Sequence, residues 1–103
     1  MIGPDSLSID GFTELRESIK KKGFDLDIYT YHIYSLGAGV SDKVPEEMRN
    51  ATYLDKSEKE SNLAATFIKD TNEKVWLGEG GGAYNSGKPG YTNAFISGFW
   101  WLD

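Results

Sequence analysis

Glu79 is the residue of this sequence best placed to do chemistry. It ends the run Val75-Trp76-Leu77-Gly78 and is followed at once by Gly80-Gly81-Gly82. In a strand, Val75, Leu77 and Glu79 share one face, so a core that takes the first two places the carboxylate at its rim. Glycines after the strand let the backbone approach a ligand closely. The pattern indicates a carboxylate in a ligand-binding mouth; the alternative is the first solvated residue after an edge strand.

The first helix needed to position this carboxylate is predicted from its caps and its apolar face. Asp10 can act as the N-cap, and Phe12, Leu15 and Ile19 then lie on one face of the helix. Gly23 is expected to stop it.

The other elements follow from composition and spacing. Residues 2–5 resemble the end of a strand, and residues 27–34 are rich in aromatic and β-branched side chains, which is typical of another. The second helix is predicted within residues 53–69, after a loop that contains Gly37, Gly39 and Pro45. A third helix is expected to begin near Thr92 or Asn93 and to bury Phe95, Phe99 and Leu102.

This order, β-α-β-α-β-α, indicates βαβ units and a parallel sheet. In such folds the carboxyl ends of the strands and the loops that follow them carry the chemistry, whether the sheet closes or stays open. Four residues with chemically useful side chains are predicted at such ends: Asp5, His32, Tyr34 and Glu79.

Composition restricts the classes of function. The chain has 103 residues with 16 acidic and 11 basic side chains, which argues against nucleic acid as a partner. It has no cysteine and one histidine, so neither a disulfide framework, a thiolate metal site nor a multi-histidine metal centre is expected, and the sequence predicts no cofactor. No apolar run reaches the roughly 20 residues of a membrane span, and no secretion signal begins the chain. Because the sequence stops inside an apolar helical run, we expect it to be part of a larger protein.

Two glycine motifs raise nucleotide binding as an alternative. Residues 82–88 nearly match the phosphate-binding pattern G-x-x-x-x-G-K-[ST], but Pro89 replaces the hydroxyl residue that binds magnesium. Residues 78–83 match G-x-G-x-x-[GA], yet turn-forming residues follow where a helix N-terminus must hold the pyrophosphate, and Glu79 would repel the anion.

Two single residues carry further hypotheses. His32 is either a structural histidine that bonds a carbonyl group or, given its place at a strand end beside the Glu79 strand, a residue that contacts or supports a substrate. Asn50-Ala51-Thr52 fits the N-glycosylation pattern in a predicted polar loop, which favours a secreted protein.

Four motifs, in order, resemble the heparanase-like family of glycoside hydrolases, glycoside hydrolase family 79, and most closely its plant-type members. They are the segments 29–37 (YTYHIYSLG), 75–79 (VWLGE), 83–87 (AYNSG) and 99–103 (FWWLD), and the resemblance runs from about Gly3 to Asp103.

The resemblance implies an α/β fold, a partial (β/α)8 barrel. Members of the family are retaining enzymes that cleave bonds to glucuronic acid in heparan sulfate or other glucuronides, and they carry an appended β-sandwich domain. A barrel of this class takes about 250 residues, so residues 1–103 would be its C-terminal part, from the end of strand five through helix seven.

The same resemblance assigns roles to individual residues. Glu79 falls on the nucleophile, and His32 and Tyr34 fall on active-site residues of the preceding strand. Tyr84, with the backbone of Asn85 and Ser86, falls where the family holds the uronate carboxylate. Two departures put the preferred sugar in question: Asn85 and Ser86 stand where animal heparanases have glycines, and glycines at 80–82 include positions where those have small hydroxyl residues.

The rest of the expected enzyme lies outside this sequence. The family's acid/base glutamate, in an Asn-Glu-Pro context, has no counterpart here, so the segment alone is expected to be inactive. The expected partners are a glucuronic-acid-containing polysaccharide or proteoglycan glycan, the remaining barrel and the β-sandwich domain. The parent is expected to be a secreted, extracellular-matrix, lysosomal or vacuolar glycoprotein, or a membrane-associated one. The alternative is a non-catalytic carbohydrate-binding or interaction protein derived from the same fold.

Overall fold

The computed structural model describes residues 1–69 and 71–102, with the side chain of Phe99 also outside the description. Its three strands are β1 (Ile2–Ser6), β2 (Ile28–Tyr34) and β3 (Lys74–Gly81). Its helices are α1 (Phe12–Lys21), α2 (Val44–Glu47), α3 (Ala51–Leu54), α4 (Lys56–Ile68) and α5 (Gly98–Leu102), with a 3₁₀ turn at Phe95–Ser97. The predicted order of alternating strands and helices is confirmed.

The strands form one parallel sheet in the order β1-β2-β3. This mixed α/β architecture is consistent with part of a (β/α)8 barrel. By its internal contacts the chain divides into two units. The first unit comprises Met1–Ile33 and Glu60–Glu79, and the second comprises Tyr34–Lys59 and Gly80–Asp103.

The first unit has an aromatic core. The rings of Phe12, Tyr29 and Phe67, from α1, β2 and α4, pack with centroid separations of 4.9 to 5.6 Å, two of the three pairs edge to face. Leu15 and Ile19 pack against the same core, as the predicted helical face requires. Burial of these side chains fixes the helices against the sheet, since each fully buried large apolar side chain contributes about 1.5–3 kcal/mol.

The ends of α1 differ in how well the sequence predicts them. Gly11, with φ of 83°, occupies the N-cap, so the prediction that Asp10 caps the helix is wrong. Gly23, at φ of 78°, ends it as predicted: its amide donates to Lys20 O, and the next amide donates back to Ile19 O. This Schellman arrangement needs a left-handed residue, and glycine adopts that conformation without a Cβ clash.

One nearly buried carboxylate ties the first unit together. Glu73, which precedes β3, lies 3.0 Å from Arg16 Nη1 and 2.8 Å from Lys20 Nζ. Burial alone would raise the pKa of Glu73, but the hydrogen bonds and positive charges of Lys20 and Arg16 outweigh it and hold that pKa below its usual value.

The second unit has its own core of Leu36, Val44, Met48 and Leu54, against which Ile96 and Trp100 pack. The third predicted helix is present as the 3₁₀ turn and α5, but the prediction of its buried face is wrong. Phe95 and Leu102 are 98% and 89% exposed, because Ile96 and Trp100, four residues apart, form the face that meets the core. Phe99 lies outside the described side chains.

The loop predicted around Pro45 contains the unpredicted helix α2, with Pro45 in its first turn. A proline fits there because the first helical amides have no partner within the helix. The long helix predicted within residues 53–69 is present as α3 and α4.

Within residues 1–69 and 71–102, no helix is long and apolar enough to cross a membrane. Nor does the described part of the chain hold three or more histidine or acidic side chains grouped to bind a metal ion.

Candidate active site

His32 and Glu79, two of the predicted site residues, lie together in the first unit. His32 Nδ1 is 3.5 Å from Glu79 Oε2, and His32 Nε2 is 3.3 Å from Asp5 Oδ1 on the other side of the ring. The imidazole is 14% exposed, whereas the Glu79 carboxylate is 58% exposed. A largely covered histidine thus lies between two accessible carboxylates from the neighbouring strands.

A bulge in β1 places Asp5. The parallel register pairs Pro4 with Thr30 and Ser6 with Tyr31, which leaves Asp5 as the extra residue. Asp5 has a positive φ of 60°, and its amide donates to Thr30 Oγ1 at 2.9 Å. Because a bulge re-aims the side chain that it carries, it explains how Asp5 reaches the imidazole of the next strand.

Gly78, just before Glu79, leaves the space in which this pair meets. A Cβ atom at position 78 would lie 3.0 Å from Asp5 Oδ1 and 3.3 Å from His32 Nε2. Both distances are shorter than ordinary van der Waals contacts, so a side chain here would press on the Asp5–His32 contact. The glycine of the VWLGE segment therefore serves packing beside the carboxylate.

This arrangement can support a reactive carboxylate. An ionised Glu79 only accepts hydrogen bonds, and an imidazole N–H is a suitable donor. Such a contact fixes the direction of the carboxylate while leaving its exposed oxygen surface to attack an electrophile. Glu79 thus has the accessibility and the neighbour that a carboxylate nucleophile requires.

The second unit brings together Tyr34 and Tyr84. Their rings pack edge to face at 5.8 Å between centroids. Main-chain hydrogen bonds hold the segment of Tyr84: its amide donates to Gly37 O at 2.9 Å, and its carbonyl accepts from Gly39 N at 2.8 Å. Gly81 allows the approach of Tyr34, because a Cβ there would lie 2.9 Å from Tyr34 Cε1.

The turn after Tyr84 has an unusual backbone. Asn85, Ser86 and Gly87 have φ of 60°, 63° and 72°, a region that non-glycine residues rarely occupy. Asn85 and Ser86 are exposed, and within the described residues neither amide donates a hydrogen bond to another protein group. Successive amides in such turns can form an anion-binding concavity.

The same region argues against the phosphate-binding alternative. Lys88 Nζ lies 3.0 Å from Asp42 Oδ1, and Lys88 N donates to Thr92 Oγ1. Residues 88–94 form turns, and among the described residues the next helical turn begins only at Phe95. A P-loop needs a helix N-terminus directly after its glycine loop, and this segment lacks one.

Asn50, the glycosylation candidate, is exposed and caps α3 rather than lying in a loop. Its Oδ1 accepts from Thr52 N at 3.0 Å. Its modification stays a prediction.

Sequence reasoning placed Asp5 at a strand end but gave it no role. Its contact with His32 depends on the β1 bulge, which leaves no periodic pattern in the sequence. The available signals were its adjacency to Gly3-Pro4 and the position of its strand beside that of His32.

Comparison with known proteins decides the family. The profile of glycosyl hydrolase family 79, N-terminal domain, matches residues 1–103. The chain belongs to glycosyl hydrolase family 79. Heparanase-like protein 3 of Arabidopsis thaliana is 41% identical to this chain. The match covers the whole of this chain and 19% of the relative. Baicalin-beta-D-glucuronidase of Scutellaria baicalensis is 37% identical over 77% of the chain and 16% of the relative. Heparanase of Mus musculus is 35% identical over the whole chain and 20% of the relative.

These matches confirm the resemblance to family 79. The chain spans about a fifth of the length of these curated relatives.

Proposed function

We propose that the chain is the part of a retaining β-glucuronidase or heparanase-like enzyme that carries the nucleophile, Glu79. The contact between His32 and the exposed Glu79 carboxylate is the observation that carries this proposal. In the barrel of the whole enzyme, residues 1–103 correspond to the end of strand five through helix seven. The acid/base glutamate and the β-sandwich domain belong to other parts of the parent.

The reaction is a double displacement. Ionised Glu79 attacks the anomeric carbon of a glucuronide while a carboxylic acid elsewhere in the barrel, roughly 5 to 5.5 Å away, protonates the leaving oxygen. Water then hydrolyses the glucuronyl-enzyme ester with the second residue acting as base. Because both carboxyl groups are needed, the segment alone does not turn over substrate.

Recognition of the uronate belongs to the turn at 84–87. The Tyr84 hydroxyl and the main-chain N–H groups of Asn85 and Ser86 bind the carboxylate of the sugar. The left-handed conformation of both residues supports this assignment. So do their amides, which donate to no other protein group within residues 1–69 and 71–102. A subsite built from main-chain groups accommodates side chains where animal heparanases have glycines.

By the same family resemblance, we place the parent in the secretory pathway, as an extracellular, lysosomal or vacuolar protein or one bound to a membrane surface. Asn50 then carries an N-glycan. Glycopeptide mass spectrometry of the protein from its own tissue tests this, with the acceptor-destroying Thr52→Ala as control.

The variant Glu79→Gln of the full-length protein tests the function. It should lower kcat on an aryl glucuronide by at least about 1,000-fold, since the amide cannot attack, while the Kd for substrate changes little. Glu58→Gln is the matched control, because Glu58 is exposed on α4. Near-normal turnover by Glu79→Gln would remove Glu79 from the nucleophile role.

A further inference from the structure

We propose that Asp5 is a positioning residue, which orients the His32 imidazole so that the imidazole in turn orients the Glu79 carboxylate. The proposal rests on the proposed function, in which Glu79 is the nucleophile. It assigns a role to a residue of β1, two strands away from the strand that carries Glu79.

The two contacts use opposite nitrogens of one ring. Asp5 Oδ1 faces Nε2 at 3.3 Å and Glu79 Oε2 faces Nδ1 at 3.5 Å. An imidazole with a partner on one side only can rotate about χ2 or flip, whereas a carboxylate at each nitrogen fixes the plane of the ring. Fixing the ring fixes the N–H direction that Glu79 meets.

Asp5 and Glu79 share the N–H donors of one ring. A neutral imidazole carries one N–H, so it can donate to one of the two carboxylates but not to both. A doubly protonated ring donates to Asp5 and Glu79 together, one N–H to each carboxylate. Asp5→Asn exchanges the carboxylate that faces Nε2 for a neutral amide, so that side of the ring is held less firmly.

The surrounding structure holds this contact in place. Asp5 is the bulged residue of β1, its φ is 60°, and its amide is anchored on Thr30, a buried side chain. Gly78 leaves the space, since a Cβ atom there would approach both Asp5 Oδ1 and His32 Nε2. The bulge of β1, Thr30 of β2 and Gly78 of β3 thus all support the contact between the Asp5 carboxylate and the His32 imidazole.

Kinetics of the full-length enzyme test the proposal. An aryl glucuronide with a good leaving group needs little acid assistance, so its kcat reports on the nucleophile. Asp5→Asn should lower kcat by about 10- to 100-fold, the range found when the carboxylate partner of a metal-bound histidine is removed, and leave KM within about threefold. Asp10→Asn is the matched control, because Asp10 is an exposed carboxylate on the connection that follows β1. A double-mutant cycle with His32→Gln should be strongly non-additive, because the two residues act as one unit.

Histidine-selective ¹⁵N NMR separates this proposal from the proposed function. In the full-length protein, with the His32 signals assigned by their loss in His32→Gln, Asp5→Asn should shift the Nε2 resonance and Glu79→Gln the Nδ1 resonance, whether or not the protein turns over a glucuronide. Unmoved His32 resonances in Asp5→Asn overturn the proposal. In a protein that turns over glucuronides, an unchanged kcat or an additive cycle overturns it too.

Discussion

The imidazole of His32 links three neighbouring strands through single side chains. Its two nitrogens face carboxylates from β1 and β3, at 3.3 and 3.5 Å. The sequence predicted His32 and Glu79 together, because both stand at the carboxyl ends of parallel strands. It could not predict the contact with Asp5, since that contact depends on a one-residue bulge.

Asn85 and Ser86 allow a test of how the uronate is held. If main-chain N–H groups bind the carboxylate, Asn85→Gly and Ser86→Gly should keep KM for a glucuronide within about threefold. Glycine also suits the φ of 60° and 63° at these positions, so unfolding free energy should change by no more than about 1 kcal/mol, relief of strain offsetting the added entropy of the unfolded chain. Steady-state kinetics and thermal unfolding measure both.

Tyr84→Phe is the contrasting variant, because it removes a side-chain donor from the same turn and should raise KM. A tenfold rise in KM for the two glycine variants would show instead that the Asn85 and Ser86 side chains carry the recognition.

Among the helices and strands, those with a clear period were predicted well. The apolar face of α1 and the aromatic strand β2 follow directly from residue spacing. Short helices and helix caps were not predicted well. Helix α2 has four residues, too few to show a period, and the N-cap of α1 is Gly11 rather than the predicted Asp10. In the last helical segment the period was right but the buried face was wrong, since Phe95 and Ile96 are both apolar and only packing distinguishes them.

The loop after β2 packs closely against the turn at 84–87, and Gly39 and Gly87 form the contact. A Cβ atom on the buried Gly39 would lie 2.7 Å from Gly87 Cα, with other main-chain atoms of Gly87 closer still. Gly39→Ala should therefore displace the turn, destabilise the protein by about 3 kcal/mol and reduce glucuronide binding. Gly98→Ala is the control, because a Cβ there has no atom within 4 Å.

Chemical denaturation and binding of a glucuronide inhibitor to the full-length protein check this. Wild-type stability and affinity in Gly39→Ala would contradict the packing of Gly39 against Gly87.

Considered as a whole, the chain shows large apolar side chains on its surface. Trp76, Leu77, Phe95, Trp101 and Leu102 are each more than half exposed. Exposed apolar area of this kind is typical of surfaces that other parts of a protein cover. This agrees with a chain that spans about a fifth of the length of its relatives. A surface of this kind also explains why the sequence predicts Leu77 as buried, whereas half of the Leu77 surface is exposed in this chain.

The stability of the whole protein should depend on pH through Glu73. Its folded pKa is lowered, so the carboxylate stabilises the fold at pH values above its unfolded pKa of about 4.3, and this contribution is lost as pH falls through the folded pKa. Glu73→Gln should cost about 2 kcal/mol at pH 7, as expected for hydrogen bonds to charged groups. The cost should shrink below about pH 4 as the wild-type carboxylate becomes protonated.

Thermal unfolding of full-length wild type, Glu73→Gln and the exposed control Glu14→Gln, followed from pH 7 to pH 2, checks this. A deficit of the same size at every pH would show that Glu73 contributes through packing rather than charge.

The most direct test of the account is covalent trapping of the full-length enzyme. A cyclophellitol-type uronate probe, followed by digestion and peptide mass spectrometry, identifies the carboxylate that attacks the anomeric carbon. We predict an ester on Glu79, absent from Glu79→Gln and blocked by excess glucuronide. A label on another carboxylate, or no label in a protein that hydrolyses glucuronides, would contradict it.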